Sequence, residues 1–411
     1  MKIWLINHYA VPPQYYPLAR PFQFAKNLIE MGHEVVIISA STVHNSDINM
    51  IHGKEKIKEV TIDGIPYVFI NCVKYQGNGV RRILNILEFA YKLPTVCKTL
   101  VQPDVLIATS FDPISCFQGI QYAKKHNIKA IAEIADLWPE TLIAYGKAKA
   151  KNPIVRLLRA LEKKIYVQSD AIVYTMEGAY DYIKEQNWTG IVPKKKVKCI
   201  NNGIDLSEFD FNRKTYLVND SDLLCENKFN VVYTGAIRAV NNLGILLDAA
   251  KKIKDPNIQI LVWGEGDELD GLKERCIKER ITNVKFKGKV EKKYVPFITE
   301  KADLNILHNT ETPIMRFGLS LNKMFDYLAA GKPILVDFHG NYNPVLDFGA
   351  GVETKSNLPE DIAEGIERVA HMNTKDRKEL GIAARKAAER YDFKFLSKEL
   401  NDLIESLLKS E

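Results

Sequence analysis

Paired cysteines, long apolar runs and a phosphate-loop glycine pattern are all missing from this 411-residue sequence. Its six cysteines form no C-x-x-C pair and no zinc-ligand spacing, which argues against a disulfide-stapled or zinc-binding module and favours reduced thiols. The apolar run at the N-terminus is too short for a signal peptide, and no later run approaches the length of a membrane span. We therefore expect a cytoplasmic protein.

The first predicted strand-to-helix turn contains no glycine. Residues 7–20, which follow the strand predicted at residues 2–6, lack the G-x-G-x-x-G pattern that brings backbone against a pyrophosphate. This argues against an NAD enzyme built on the first part of the chain. No G-x-x-x-x-G-K-[ST] pattern occurs in the sequence, which excludes a P-loop ATPase.

Composition indicates a globular protein with an uneven charge. Hydrophobic residues make up 46% and charged residues 26% of the chain, and its length favours two domains. The net charge of +6 divides into +9 for residues 1–200 and −3 for the remainder. A basic N-terminal half suggests an anionic partner there, namely lipid headgroups, a diphosphate-bearing acceptor or nucleic acid.

Short β-branched runs alternate with helical patterns along the whole chain, which predicts two Rossmann-like, doubly wound parallel sheets. We predict an N-terminal domain at residues 1–205, a second domain at 206–390, and a final helical segment at 391–411 that crosses back to the first domain. The active site is expected in the cleft between the domains, at the carboxyl ends of the strands. The predicted strands lie at residues 2–6, 34–40, 104–109, 129–135, 171–175, 197–201, 230–234, 259–263, 284–287, 304–307, 333–336 and 351–353.

A loop, a short helix and a buried strand are predicted across residues 317–336, with Lys323 and Asp326 on the helix. The free N–H groups and positive end of such a helix suit a phosphate group, and a carboxylate deeper in the helix can accept from sugar hydroxyls. The alternative is an ordinary helix that enters an α/β sheet. A second anion-binding turn is predicted at Gly235 and Arg238, where the alternative is a solvated arginine in a capping loop.

In the first domain, Asp136 follows a predicted buried strand. A carboxylate at a strand end can orient an acceptor hydroxyl or stabilise an oxocarbenium-like state, and the alternative is a cap on the next turn. His8 also follows a strand, where a hydrogen-bonded buried histidine is the simpler interpretation.

Several segments resemble the retaining family 4 glycosyltransferases of the GT-B fold, in particular a bacterial surface-polysaccharide subgroup. Residues 317–333 are similar to the family's donor-nucleotide site, and Glu133-Ile-Ala-Asp-Leu-Trp-Pro-Glu140 is similar to a signature of the subgroup. Further similarities lie at Tyr9, Pro12, Pro13 and Arg20, at residues 263–267 and at residues 285–290.

The resemblance implies a hexosyl- or N-acetylhexosaminyltransferase of class EC 2.4. It would move a sugar from a nucleoside-diphosphate donor, with UDP as the expected nucleotide, to a glycan or polyprenyl-diphosphate-linked acceptor in capsule, O-antigen or exopolysaccharide synthesis. No metal, no cofactor and no nucleic acid are implied.

The resemblance also assigns residues. It makes Asp136, Arg238 and Lys323 catalytic and places His8, Arg20 and Glu177 on the acceptor side. The family's two donor-phosphate cations fall here on Ala236 and Asn241, so Arg238 is the expected substitute, and the first of two family glutamates falls on Gly318. The implied donor contacts are Gly235, Arg238, Gly264, Lys289, Val290, Arg316, Gly318, Leu319, Ser320, Lys323 and Asp326.

Two basic stretches, residues 81–92 and 147–164, have amphipathic patterns. Both suit an anionic membrane surface, where each basic residue contributes about 1 kcal/mol, and core-facing helices with solvated outer faces are the equal alternative. The membrane interpretation predicts a peripheral protein at the inner face of the plasma membrane. The apolar face predicted for the first stretch consists of Ile83, Ile86, Leu87, Ala90 and Tyr91.

Two other functions compete with sugar transfer. A GT-B nucleotide-sugar epimerase would use the same residues without a separate acceptor. A basic scaffold would bind membrane or nucleic acid through residues 81–164. Asp220-Ser-Asp222 matches a metal–nucleotide D-x-D pattern, but its place in a polar interdomain segment favours a solvated linker.

Overall fold

The computed structural model describes residues 1–15 and 19–409, so residues 16–18 of the predicted N-terminal loop and residues 410–411 of the predicted final segment lie outside the described residues. The chain divides into two compact units. The first comprises residues 1–201 and 396–411, and the second comprises residues 202–395.

The first unit is an α/β unit built on an eight-stranded sheet. In chain order it contains β1 (Lys2–Ile6), α1 (Ala19–Glu30), β2 (Glu34–Ala40), β3 (Ile57–Ile62), β4 (Ile65–Ile70), α2 (Val80–Cys97), β5 (Val105–Thr109), α3 (Pro113–Lys125), β6 (Lys129–Ile134), α4 (Glu140–Ala144), α5 (Pro153–Gln168), β7 (Ala171–Tyr174), α6 (Ala179–Glu185) and β8 (Val197–Cys199). The strand order is β3-β4-β2-β1-β5-β6-β7-β8, and the strands pair in parallel except for the β3–β4 hairpin. Strands such as β5 are buried along their whole length, because helices cover both faces of the sheet.

The second unit is an all-parallel, six-stranded α/β unit. In chain order it contains α7 (Leu206–Thr215), β9 (Phe229–Thr234), α8 (Leu243–Ala250), β10 (Ile258–Trp263), α9 (Leu269–Lys278), β11 (Val284–Gly288), α10 (Val295–Lys301), β12 (Leu304–Leu307), α11 (Asn322–Ala330), β13 (Ile334–Val336), α12 (Pro344–Asp347), β14 (Gly351–Glu353), α13 (Pro359–Ala370) and α14 (Thr374–Arg390). The strand order is β11-β10-β9-β12-β13-β14. Apolar side chains of α11 and α14 pack on one face of the sheet, and those of α8 and α13 pack on the other.

The final helix, α15 (Phe393–Lys409), begins at the end of the second unit, and its residues from 396 onward belong to the first. A hydrogen bond of 2.7 Å between His33 Nε2 and Asn401 Oδ1 fastens it to the first unit. Among the described residues, no helix combines the length and apolarity that a membrane crossing requires.

Every strand predicted from the sequence is present, with ends that differ by at most two residues. The β3–β4 hairpin, however, was not predicted. Its turn places Asp63 and Gly64 at positive φ angles of 51° and 78°, and Asp-Gly is the preferred sequence for such a two-residue turn. The Asp63-Gly64 turn signal was therefore present in the sequence, between two short strands.

Asp220 and Asp222 are partly exposed and ion-paired with lysines, which corrects the interpretation of a purely solvated linker. Lys287 Nζ donates to Asp220 at 2.8 Å and to Asp222 at 2.5 Å, and Lys285 also donates to Asp222. Hydrogen bonds from these lysines hold the pKa of Asp222 below its usual value. The segment is thus tied to β11 by ion pairs.

A buried acid lies in the first unit. Glu162, on α5, is 4% exposed and accepts hydrogen bonds from Tyr166 at 2.7 Å and from Tyr182 at 2.8 Å. Burial raises the pKa of Glu162 to about 8, so the folded protein keeps this carboxyl protonated at neutral pH, whereas the unfolded chain ionises it near pH 4.5.

This difference predicts a pH-dependent stability. Between about pH 4.5 and pH 8 the folded state binds the extra proton, so the free energy of unfolding should fall as pH rises, by at most about 1.4 kcal/mol per pH unit. Glu162→Gln should flatten this slope, and Glu274→Gln, at an exposed position, should retain it. Urea unfolding from pH 5 to 8 measures the slope, and an unchanged slope in Glu162→Gln would contradict the assignment.

Candidate active site

The loops that leave β9, β10 and β11 lie side by side at the carboxyl edge of the second sheet. Gly235 N donates to Trp263 O at 3.0 Å, and Gly264 N donates to Gly288 O at 2.9 Å. A Cβ atom at Gly264 would lie 1.8 Å from the carbonyl oxygen of Gly235. Glycine is therefore required at position 264 by the close approach of two backbones.

Replacement of Gly264 by alanine should separate the two loops. We expect the free energy of unfolding to fall by about 2–3 kcal/mol, the upper part of the range for overpacking. Gly271→Ala is the matched control, because a Cβ there meets no atom within 4 Å and alanine favours the helical conformation of α9. Urea unfolding of the two variants measures the effect. Equal behaviour of the two variants would refute the steric argument.

Helix α11 is held against the end of β9. Its last turn ends at Gly331, which has a left-handed conformation, and Pro333 follows. The Tyr327 hydroxyl accepts from the backbone N–H of Thr234 at 2.8 Å. Leu321, which precedes the helix, provides no side-chain cap, although its carbonyl accepts from Met324 N at 2.9 Å, so the N–H groups of Asn322 and Lys323 are the ones available to a ligand.

Lys323 lies in that first turn with its ammonium directed inward. Its Nζ donates to the Tyr233 hydroxyl and to the backbone carbonyl of His308, both at 3.0 Å, and lies 4.3 Å from the centre of the Tyr233 ring. Burial lowers the pKa of Lys323 to about 7. Within the part of the chain that the structure describes, it forms no ion pair. The hydrogen-bond partners of the Lys323 ammonium are thus neutral oxygens, an arrangement that suits the binding of a phosphate group.

A buried acid–histidine pair, missed by the sequence analysis, lies behind Lys323. His308 follows β12 and Asp337 follows β13, and His308 Nδ1 is hydrogen-bonded to Asp337 Oδ2. His308 Nε2 donates to the carbonyl of Asn242 at 3.0 Å. The pair therefore links the loop after β9 to the loops after β12 and β13. Its signal in the sequence was a polar residue directly after each of two apolar strands.

Arg238 is exposed in the loop between β9 and α8, and no side-chain partner is found for it among the described residues. The position is consistent with an anion contact and equally with the solvated alternative. Asn241, at one of the family's cation positions, is buried and donates to Asn309 at 3.4 Å. Ala236, at the other, is exposed. Neither can supply charge.

Two predicted donor residues already have ionic partners. Asp326 is nearly buried and accepts a hydrogen bond from Lys292, a residue that the sequence analysis did not select. Lys289 donates to Glu265 at 2.5 Å on the surface, while Val290 packs against an apolar cluster. Lys292 thus compensates Asp326 in the absence of a ligand.

The 3-10 helix Pro313–Phe317 precedes α11 and carries Arg316, whose guanidinium stacks 4.1 Å from the Phe317 ring. Gly318 ends this helix with φ 113° and ψ 178°, a conformation that side chains rarely adopt. Leu319 is buried, and Ser320 is partly exposed. An acidic side chain at position 318 would therefore be strained, which explains the departure from the family pattern.

In the first unit, Asp136 follows β6 and is partly buried. Burial raises its pKa to about 6, and its charge contributes to a raised pKa of Tyr145. The capping alternative does not hold for the next helix, because the residue before α4 is Pro139 and no side chain caps that helix. Glu177, just after β7, accepts from Asn201 at 2.9 Å.

Two residues predicted on the acceptor side, Arg20 and His8, are buried, and for His8 this agrees with the simpler interpretation of a hydrogen-bonded buried histidine. Arg20 is 4% exposed, and its guanidinium donates to Glu133 and to the carbonyls of Ile200 and Asn201, so it is a structural clamp at the end of β8. His8 is 2% exposed and is hydrogen-bonded to Asn85 at 2.6 Å. Burial lowers the pKa of His8 to about 3, so it stays neutral and does not face a dissolved acceptor.

Among residues 1–15 and 19–409, no group of three or more His, Cys, Asp or Glu side chains is placed to hold a metal ion. Lys323, Arg238 and Lys292 are three of the cationic side chains at the carboxyl edge of the second sheet.

Two doubly wound α/β units, each built on a mainly parallel sheet, are the architecture of the GT-B fold. Sequence comparison agrees: residues 22–208 match the family described as glycosyltransferase family 4, and residues 219–387 match glycosyl transferases group 1. The chain belongs to the GT-B glycosyltransferases.

Curated relatives are distant. The chain is 26% identical over 189 residues to an uncharacterized glycosyltransferase, MJ1607 of Methanocaldococcus jannaschii, covering 43% of this chain and 45% of that protein. It is 23% identical over 209 residues to the putative teichuronic acid biosynthesis glycosyltransferase TuaH of Bacillus subtilis, covering 50% of each. It is 22% identical over 308 residues to the probable glycosyltransferase WbjE of Pseudomonas aeruginosa, covering 72% of this chain and 73% of that one. The chain spans about half the length of the first two relatives.

Solved structures confirm the fold. Sucrose-phosphate synthase from Thermosynechococcus elongatus superimposes with a TM-score of 0.70 at 16% identity, covering 100% of both chains. The Anabaena protein HepE in complex with UDP also gives a TM-score of 0.70, at 13% identity, covering 99% of this chain and 100% of that one. At these identities the similarity establishes architecture alone.

Proposed function

We propose that the protein is a retaining glycosyltransferase of class EC 2.4 that moves a sugar from a nucleoside-diphosphate donor to a hydroxyl of a glycan or lipid-linked acceptor. The second unit binds the donor, and the first binds the acceptor. The observation that carries this proposal is Lys323, whose inward ammonium lacks an ion-pair partner among the described residues and lies at the N-terminus of α11.

The donor diphosphate is bound by Lys323, Arg238 and the free N–H groups at the start of α11. Negative charge grows on the diphosphate as the glycosidic bond breaks, and these groups stabilise it electrostatically without a covalent step of their own. Asp326 accepts from the nucleotide ribose, with Lys292 as its resting partner. Asp136, as a carboxylate, orients the acceptor hydroxyl or stabilises the oxocarbenium-like sugar.

The nucleotide that we propose is UDP, with an N-acetylhexosamine as the first candidate sugar and glucose as the second. HepE, which shares the fold, has been crystallised with UDP and with UDP-glucose. A role in capsule, O-antigen or exopolysaccharide synthesis is supported by the relatives named above, one of which is a putative teichuronic acid biosynthesis enzyme.

A panel of nucleotide sugars, incubated with the purified protein and a membrane extract, tests the proposal. We expect one donor to be turned over only when the extract is present, with the sugar appearing in a glycan or glycolipid. Interconversion of a free nucleotide sugar without extract would instead identify an epimerase. Failure of every donor to bind or react would refute sugar transfer.

We further propose that the first unit rests on the cytoplasmic face of an anionic membrane. The structure decides the orientation of α2: Phe89, Ala90 and Leu93 are buried, while its opposite face exposes an apolar row. Arg81 is exposed beside that row, and Lys149, Lys151 and Arg156 are exposed before and within α5. The apolar row consists of Val80, Ile83, Leu84, Leu87 and Tyr91.

Vesicle sedimentation measures this contact. Wild-type protein should bind vesicles of phosphatidylcholine with 30% phosphatidylglycerol (roughly the anionic fraction of a bacterial membrane) more tightly than neutral vesicles. The double variant Ile83→Glu, Leu87→Glu should reduce binding about tenfold or more, because two charges replace inserted apolar groups. Ile277→Glu is the control, since Ile277 is 80% exposed in the second unit. Equal binding by both variants would exclude α2 as the contact.

A further inference from the structure

Two acid–histidine pairs join the loop after β12 to the loop after β13. One pair is buried, and the other lies on the surface. The inner pair, His308 and Asp337, is buried. The outer pair, Glu311 and His339, is exposed: Glu311 Oε2 accepts from His339 N at 3.0 Å and from His339 Nδ1 at 3.2 Å. Glu311 lies on the loop after β12, and His339 lies on the loop after β13.

The outer pair lies on the same loop as the lysine's backbone partner. The carbonyl of His308 accepts from Lys323, and Glu311 follows three residues later. A carboxylate repels the phosphates that Lys323 attracts, so it suits a neutral part of the ligand that carries hydroxyl groups.

Glu311 also differs from the other carboxylates near this edge of the sheet. Asp326 is paired with Lys292, Glu265 with Lys289, and Asp337 is buried behind Lys323. Within the described residues, Glu311 has no Lys or Arg partner, and both of its hydrogen bonds are accepted by Oε2. Its Oε1 is therefore open to a hydroxyl donor, while the two bonds from His339 fix the carboxylate in place.

The backbone at Gly318 strengthens this argument. With φ 113° and a buried position, residue 318 cannot carry a carboxylate without strain, so Asp326 is the one acid in the sequence from residue 318 to the end of α11. In the same connection between β12 and α11, the sequence places one acid, Glu311, and its side chain is exposed.

We propose that Glu311, held by His339, binds hydroxyl groups of the sugar moiety of the donor. The inference rests on the proposed function, because it assumes a nucleotide sugar at Lys323. It assigns Glu311 to recognition of the sugar and leaves the diphosphate to Lys323, so the two residues should affect different parts of one ligand.

Calorimetric titration with UDP, UDP-glucose and UDP-N-acetylglucosamine separates these parts. Glu311→Gln should weaken binding of the better nucleotide sugar about tenfold or more while leaving the affinity for UDP unchanged, because one charged hydrogen-bond acceptor is lost. His339→Ala should give a smaller loss of the same kind. The matched control is Asp255→Asn, which removes a similar surface pair (His371 Nε2 to Asp255 Oδ2, 3.1 Å) and should change neither affinity.

The outcomes are distinct. Equal loss of UDP and nucleotide-sugar affinity in Glu311→Gln would show that the pair only shapes the loops, and unchanged affinity for both would show that Glu311 touches no sugar. Either result overturns the assignment, as would a wild-type protein that binds UDP as tightly as both nucleotide sugars. If the wild-type protein binds none of the three ligands, the UDP-sugar site of the proposed function fails instead.

Discussion

Lys323→Met should lower kcat/KM by about 10²–10³-fold, the usual cost of removing one preorganised donor of charge stabilisation. The ammonium lies in the first turn of α11 and is held by neutral oxygens of Tyr233 and His308. Methionine fills the same space and keeps the contact with the Tyr233 ring, so the fold should be retained. The loss is expected in kcat more than in KM, because the diphosphate gains most of its charge as the bond breaks.

The pH dependence of nucleotide binding gives an independent measurement. Burial lowers the pKa of Lys323 to about 7 in the free protein, and a bound diphosphate favours the charged form. Affinity for UDP should therefore be highest below pH 7 and fall as pH rises, by up to about tenfold per pH unit, until the bound-state pKa is reached. In Lys323→Met this fall should disappear.

Lys252→Met is the matched control, because Lys252 pairs with Glu360 at 3.1 Å on the surface of the second unit, after the last turn of α8. It should change kcat/KM by less than about threefold, as expected for an exposed ion pair. Comparable losses in the two lysine variants would show that overall positive charge, rather than the position of Lys323, supports the reaction.

Asp136→Asn should reduce kcat by about 10²–10⁴-fold, the range for loss of a positioned acid or base. Burial raises the pKa of Asp136 to about 6, and the proposed role needs the carboxylate. Activity should thus rise with pH to a plateau above about pH 6, since protonation below that value removes the charge. The residual activity of Asp136→Asn should lack this rising limb.

Asp112 provides the control for the predicted rise of activity with pH. Its pKa is also raised to about 6 by burial, but its carboxylate caps α3 by accepting from Ser115 N at 2.6 Å. Asparagine is an equally good cap, so Asp112→Asn should keep both the activity and the limb. If the rise of activity with pH persisted in Asp136→Asn and disappeared in Asp112→Asn, the titrating group would be Asp112. Asp136 would then have no part in the mechanism.

The architecture was predictable from the sequence because buried parallel strands leave an uninterrupted apolar run. β1, β2, β12 and β14 begin and end at the predicted residues. The β3–β4 hairpin was missed because both strands are short and β3 is half-exposed, with Asp63-Gly64 as the main signal. Helix α2 was predicted as amphipathic, but which of its faces packs inward was decided by α3 and the sheet.

The candidate site was predictable only where the residues that form it lie close together in the sequence. Lys323 belongs to such a segment, because the loop, the helix start and the Gly-Lys-Pro stop lie together in the chain. The partners of Asp326, His308 and Glu311 are 34, 29 and 28 residues away in sequence, and no local pattern pairs them. The burial of Arg20 against Glu133 had no local signal for the same reason, since it depends on packing, whereas a hydrogen-bonded buried histidine was already the simpler interpretation of His8.

The course of α15 sets the order in which the protein can be completed during synthesis. The chain begins in the first unit, builds the whole of the second by residue 395, and only then supplies the helix that the first unit still needs. While the ribosome is translating residues 202–395, the first unit has an apolar surface awaiting Leu396, Leu400 and Ile404, all of which are buried in the finished protein. The unit that is translated first is therefore the last to be closed, and loss of a short C-terminal stretch would damage the beginning of the chain rather than its end.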